Sequence, residues 1–154
     1  MFPLGGIARS AQGAPVSAQA TVARAPSSPL SFLAFDFGIR RVGVASGNSL
    51  TRSAQPLATV AAQGDERFAA IAKLIREWQP AALVVGVPFH PDGAEHDNTR
   101  RARRFAHRLH GRFGLAVHEV DERYSTTEAQ ALGAADVDAA SAAVILEQFL
   151  RTLE

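Results

Sequence analysis

Four carboxylates stand where an alternating chain of strands and helices would bring them together. Asp36 ends the apolar run SFLAFD, Asp121 and Glu122 follow LAVHEV, and Asp138 lies in the first turn of DVDAASAAVILEQFLRTL. Parallel α/β sheets gather functional groups at the carboxyl ends of their strands. Carboxylates gathered there repel one another and need a cation. A hard divalent ion with oxygen ligands, Mg²⁺ or Mn²⁺, is the natural occupant. Two such ions about 4 Å apart would activate a water and stabilise the leaving oxygen in phosphodiester cleavage.

Each acid also has an ordinary role open to it. Asp36, close before Gly38, could form a turn. Asp138 could cap its helix or face the helix dipole, although Asp136 is already available as a cap. Asp121 and Glu122 could pair with Arg123 at the surface, where ion pairs contribute little. Spacing alone slightly favours the ordinary role for each acid taken singly, and only the set points to chemistry.

The elements that must position these acids are legible from pattern. SFLAFDF and RVGVASG read as two strands joined by a tight turn containing Gly38, and AQPLATV as a third. GDERFAAIAKLIREWQ spaces Phe68, Ile71, Ile75 and Trp78 at helical intervals, with Asp65 as its cap, and stops before Pro80. Trp78 reads as core. AALVVGVP is continuously apolar, as a strand buried on both faces should be. DNTRRARRFAHRLHGRF reads as a helix capped by Asp97, LAVHEV as a strand, and STTEAQAL as a helix start with Ser125 and Glu128 in a capping box. Three strands, helix, strand, helix, strand and final helices predict a three-layer α/β domain with a mixed sheet over residues 31–154.

Residues 1–30 are rich in Ala, Ser, Gly and Pro without apolar periodicity, and read as a disordered tail. No run approaches the roughly 20 apolar residues of a membrane span. The chain has no cysteine, which excludes disulfides and thiolate metal sites and suits a reducing compartment. Beyond the tail, 14 basic residues face 15 acidic ones, so attraction to nucleic acid must come from local clustering.

That clustering is in the RRARRFAHRLHGR helix. Ala102, Phe105, Ala106, Leu109 and Phe113 form an apolar stripe, while Arg101, Arg104, Arg108 and Arg112 line another face beside Arg100 and Arg103. Arginine suits phosphate through planar bidentate hydrogen bonds. A patch that tracks a nucleic-acid backbone and a merely solvated helix face stand level as readings. No aromatic stacking platform is interleaved with the arginines, so base readout looks weak.

Taken in order, D-F-G-I-R-R-V-G-V-A, L-V-V-G-V-P-F-H-P-D-G, D-E-R-Y-S-T-T-E-A and V-D-A-A-S-A-A-V-I-L resemble the YqgF/RuvX family across nearly all of residues 31–152. These are pre-16S rRNA nucleases, earlier described as Holliday-junction resolvases. The resemblance implies an RNase H-like fold, with a five-stranded mixed sheet whose second strand is antiparallel to the others. It implies a cytoplasmic role in maturing the 5′ end of small-subunit rRNA, on structured RNA with the ribosome nearby, by a monomer or homodimer without a membrane.

By the same resemblance Asp36, Glu122 and Asp138 match the metal ligands, Mg²⁺ or Mn²⁺ being the ion, and Asp121 is the acid that could replace Glu122. Gly38 and Arg40 match the turn after the first strand. Arg123 and Thr126 match a segment that contacts phosphate, and Pro88, Asp92 and Gly93 match a loop expected beside Asp36. One departure is a short ALGAADV connection, free of lysine, before the last helix. It favours a non-catalytic RNA-binding module as one alternative, and cleavage of branched DNA at four-way junctions is another. A phosphate-binding ATPase or kinase of the actin-like type is discounted, because residues 31–154 are too few for its two lobes.

Overall fold

The computed structural model describes residues 29–90, 92–95, 97–122 and 137–153. The expected tail, apart from its last two residues, and the capping box at Ser125 and Glu128 lie outside them, as do Arg123, Thr126 and the ALGAAD segment. Five strands and three helices are described: β1 (Ser31–Asp36), β2 (Val42–Asn48), β3 (Ala54–Val60), α1 (Gly64–Trp78), β4 (Ala82–Pro88), α2 (Asp97–Phe113), β5 (Ala116–Glu122) and α3 (Val137–Arg151). The strands form one sheet in the order β3-β2-β1-β4-β5. β2 runs antiparallel to both its neighbours, and β1, β4 and β5 run parallel. This is the three-layer mixed sheet that the pattern predicts.

Burial explains the order. β4 is apolar along its length and sits between β1 and β5, covered on both faces. β3 carries Pro56, which cannot donate to a ladder, and accordingly lies at an edge, with a register shift where Pro56 faces Ala45. Side chains alternate across the pleat. Leu33 and Phe35 of β1 join Phe68 and Ile71 of α1 and Phe105 and Leu109 of α2 in one core. Phe32 and Ala34 join Ile145, Leu146 and Leu150 of α3 in the other.

Two expected caps and one core residue are placed differently. Gln63 occupies the N-cap of α1 without a side-chain hydrogen bond, and Asp65 falls in the first turn, where its carboxylate meets Arg112 at 3.3 Å. Asp97 is likewise a first-turn residue of α2, paired with Arg100 at 2.6 Å. Trp78 is 44% exposed, because it ends α1 beyond the cover of the sheet. No helix among the described residues is long and apolar enough to cross a membrane.

Candidate active site

Asp36 is the last residue of β1, and its neighbour in each adjacent strand is a glycine: Gly43 in β2 and Gly86 in β4. Both glycines make room on the α3 face. A Cβ at Gly43 would lie 1.8 Å from the backbone oxygen of Asp138, so the first turn of α3 rests directly on the β2 backbone. A Cβ at Gly86 would lie 2.5 Å from Oε2 of Glu122 and 2.4 Å from Cδ1 of Ile145. A side chain in either strand would push an acid away from Asp36. Glycine inside a strand commonly marks such a close approach, and this was the sequence signal that pattern reading passed over.

The result is a group of three carboxylates. Glu122 is buried and hydrogen-bonded to Asp36, and Asp138 adds its field at the head of α3. Burial, then the charge of Glu122, the Glu122 hydrogen bond and the charge of Asp138 push the Asp36 carboxyl up to about 9. A hydrogen bond between two carboxyl groups requires a proton, so near neutral pH Asp36 holds one against Glu122. Asp121 precedes Glu122 and points to the opposite side of the pleat, exposed, so it stands away from this group.

Arg41 reaches Asp138 from the β1–β2 turn, with Nε 2.8 Å from Oδ2. The turn itself is tight, since a Cβ at Gly38 would sit 2.5 Å from the carbonyl oxygen of Arg41. Arg40 is exposed in the same turn. After β4, Thr99 of α2 is buried and donates its hydroxyl to the carbonyl of Pro88, which ties the loop to the helix. Asp92 spends one carboxylate oxygen on the amide of Ala94, at 2.9 Å, within that loop. Neither Arg41 nor Thr99 was singled out by the sequence pattern.

The donors suit a hard cation: all are carboxylate oxygens, and two of them are held together at the cost of retaining a proton. Among the described residues no three ligating side chains converge as a finished cage, and Arg41 engages Asp138. Mg²⁺ commonly takes one or two carboxylates and completes its shell with water and substrate phosphate, so Asp36 and Glu122 supply a sufficient protein half.

The arginines of α2 lie across the sheet from these acids. Arg101, Arg104 and Arg108 line a cavity of about 240 Å³ together with Phe37, Ile39 and Arg67. Arg67 is buried and bound, its Nε to the carbonyl of Ala62 at 3.0 Å and its Nη2 to the carbonyl of Ile39 at 2.9 Å. It fixes the outer wall of the turn.

Comparison with known proteins gives the family of the chain. A chain from Polaromonas named "Putative pre-16S rRNA nuclease" is 71% identical over 122 residues, which cover 79% of this chain and 88% of that one. A chain of the same name from Albidiferax ferrireducens is 66% identical over 122 residues, covering 79% and 78%. Among solved structures, T. thermophilus RuvC in complex with Holliday junction substrate matches with a TM-score of 0.54 at 16% identity, over 80% of this chain and 95% of that chain. That is a likeness of fold, and it agrees with the RNase H-like architecture. The family described as RuvX, Holliday junction resolvase, matches residues 30–152, and the chain belongs to that family.

Proposed function

We propose that this chain is a metal-dependent nuclease that hydrolyses phosphodiester bonds at the 5′ end of pre-16S rRNA. The observation that carries the reading is the Asp36–Glu122 carboxyl pair, built by two strand glycines beside Asp138, in a chain 71% identical to a relative named for that activity. In this reading Asp36, Glu122 and Asp138 hold Mg²⁺ or Mn²⁺, and Asp121 lies outside the set. When bound, the ion supplies Lewis-acid charge for a phosphodiester under attack.

The chain's own residues do the rest. With the ion bound, Asp36 would release to solvent the proton it holds against Glu122, which would free oxygens on both side chains. Arg41 keeps Asp138 poised at the head of α3 until that carboxylate turns inward. Arg40, Arg101, Arg104 and Arg108 attract and orient the phosphate backbone. Arg123 and Thr126, outside the described residues, keep the phosphate role that the family resemblance gives them. An rRNA precursor as substrate places the protein in the cytoplasm, acting on structured RNA, with ribosome association.

The family's description as a Holliday junction resolvase supports a second reading, cleavage of four-way DNA junctions. A resolvase needs two active sites on a symmetric dimer, so a stable homodimer in solution would favour that reading. Both readings are tested by incubating wild type and Asp36→Asn with a precursor rRNA leader and with a four-way junction, each with and without Mg²⁺ or Mn²⁺. Metal-dependent cleavage of the RNA by wild type alone is the expected result. Preferential cutting of the junction would put the second reading first. Binding of both without cutting would sink the nuclease reading in favour of a binding module.

A further inference from the structure

The six arginines of α2 fall into two sets by what they touch. Arg100 pairs with Asp97 at 2.6 Å, and Arg103 with Glu95 at 2.8 Å and Glu119 at 3.7 Å. Arg112 reaches Asp65 and lies 4.2 Å over the ring of Phe68. These three are neutralised within the fold. Arg101 meets only the amide oxygen of Asn98, at 3.2 Å, and Arg104 and Arg108 pair with no acid among the described residues. At intervals of three and four residues, the second set shares one side of the helix. It faces the cavity whose other wall is Phe37 and Ile39.

That cavity is unusual in composition. Three exposed guanidinium groups without acid partners repel one another and call for an anion. Opposite them stands Ile39, 55% exposed, a large apolar side chain at a rim that Arg67 fixes in place. An anion alone would leave Ile39 in water, and an apolar ligand alone would leave the arginines unanswered. A nucleotide offers both a phosphate and an apolar face. The volume, about 240 Å³, leaves room for a group the size of one nucleotide.

We propose that this cavity receives one unpaired nucleotide of the RNA substrate, its phosphate on Arg101, Arg104 and Arg108 and its base against Ile39 and Phe37. The identity of the polymer rests on the nuclease reading; the two-sided chemistry of the cavity does not. Asp36 and Phe37 are adjacent in the chain and point to opposite faces of the sheet. The nucleotide held here is therefore not the one cut. The strand crosses the β1–β2 turn past Gly38 and Arg40, and the cavity selects substrates with a single-stranded segment beside the scissile bond. A contact made equally in the ground state and the transition state acts on KM and leaves kcat alone.

The test uses the full chain in chelator, so that nothing is cut, with fluorescently labelled single-stranded RNA and its duplex read by anisotropy over a range of salt. Circular dichroism first establishes that each variant is folded. Arg104→Ala/Arg108→Ala should weaken single-strand binding by about tenfold or more and lower the salt slope by about 1. Ile39→Ala should weaken it about fivefold at unchanged salt slope, and leave duplex binding alone. Arg100→Ala/Arg103→Ala, which removes arginines already paired, should change single-strand affinity by less than about twofold.

Equal losses from the two arginine pairs would mean a uniform charged face and overturn the proposal. So would an Ile39→Ala variant that binds like wild type, or a wild type that binds no RNA. With metal restored, Arg104→Ala/Arg108→Ala should raise KM for leader RNA, and an unchanged KM would overturn the cavity's part in substrate binding. Variant-sensitive binding by a chain that cuts no RNA would uphold the cavity and refute the nuclease reading.

Discussion

Replacing Asp36 by asparagine should stabilise the protein, by an amount that grows with pH. The folded chain raises Asp36 from 3.8 to about 9, chiefly by burial and by the facing charge of Glu122. The folded state therefore keeps a proton that the unfolded chain gives up. For a group raised in this way, the stability it contributes is full below pH 3.8 and declines as pH climbs towards 9. Each pH step in that window costs about 1.36 kcal/mol, so at pH 7 the cost is of the order of 4 kcal/mol.

Asparagine keeps the shape, donates to Glu122 and has no proton to lose. Its advantage over wild type should be near zero at pH 4 and of the order of 4 kcal/mol at pH 7, or roughly 12 °C in Tm for a chain of this size. Urea and thermal unfolding followed by circular dichroism in chelator, from pH 4 to pH 8, measures this directly. Parallel curves for wild type and Asp36→Asn would refute the buried shared proton. An asparagine variant that is less stable at pH 7 would return Asp36 to the role of a turn former.

Three other perturbations separate the parts of the site. Gly86→Ala drives a methyl against Oε2 of Glu122 and Cδ1 of Ile145, so metal-dependent cleavage should fall at least about 100-fold while urea unfolding shows a loss of about 1–3 kcal/mol. Gly43→Ala meets the backbone oxygen of Asp138, which cannot rotate away; it should cost more stability than Gly86→Ala, and an equally stable variant would contradict the contact. Arg41→Ala frees Asp138 for the cation, and it should tighten Mg²⁺ binding by calorimetry while changing stability by less than about 1 kcal/mol, as an exposed ion pair does. Because Mg²⁺ must displace the proton on Asp36, its apparent Kd should fall by up to about tenfold per pH unit between pH 6 and pH 8, and calorimetry in buffers of different ionisation enthalpy should register the released proton.

What could be read in the sequence is what depends on neighbours in the chain. The strand and helix periods are local, and so were found: the continuous apolar runs of β1 and β4, the stripe of Phe105 and Leu109 in α2. What could not be read depends on register. Nothing near Asp36 in the chain says that Gly43 and Gly86 will flank it across the ladder. Likewise Asp65 looks like a helix cap until Arg112, 47 residues away, is found to occupy it. The choice between Asp121 and Glu122 was left open because it turns on one step of the pleat, which a DER motif does not fix. The aromatic and apolar partners of the arginines were missed because Phe37 and Ile39 come from a different element, and a search along α2 alone finds none.

The β1–β2 turn is where these non-local facts meet, and each of its residues is constrained for a different reason. Asp36 faces α3 and Phe37 faces α2, because consecutive residues of a strand must point to opposite sides. Gly38 has no room for a Cβ against the carbonyl oxygen of Arg41. Ile39 gives its carbonyl to Arg67 and its side chain to the arginine cavity. Arg40 is left exposed between the two faces, and Arg41 turns back to Asp138. The pleat thus separates the carboxylate group from the arginine-lined cavity by the thickness of one sheet, and the turn is the short path between them. In the proposed reading, a strand of RNA that engages both faces runs over this turn, past the exposed side chains of Ile39 and Arg40.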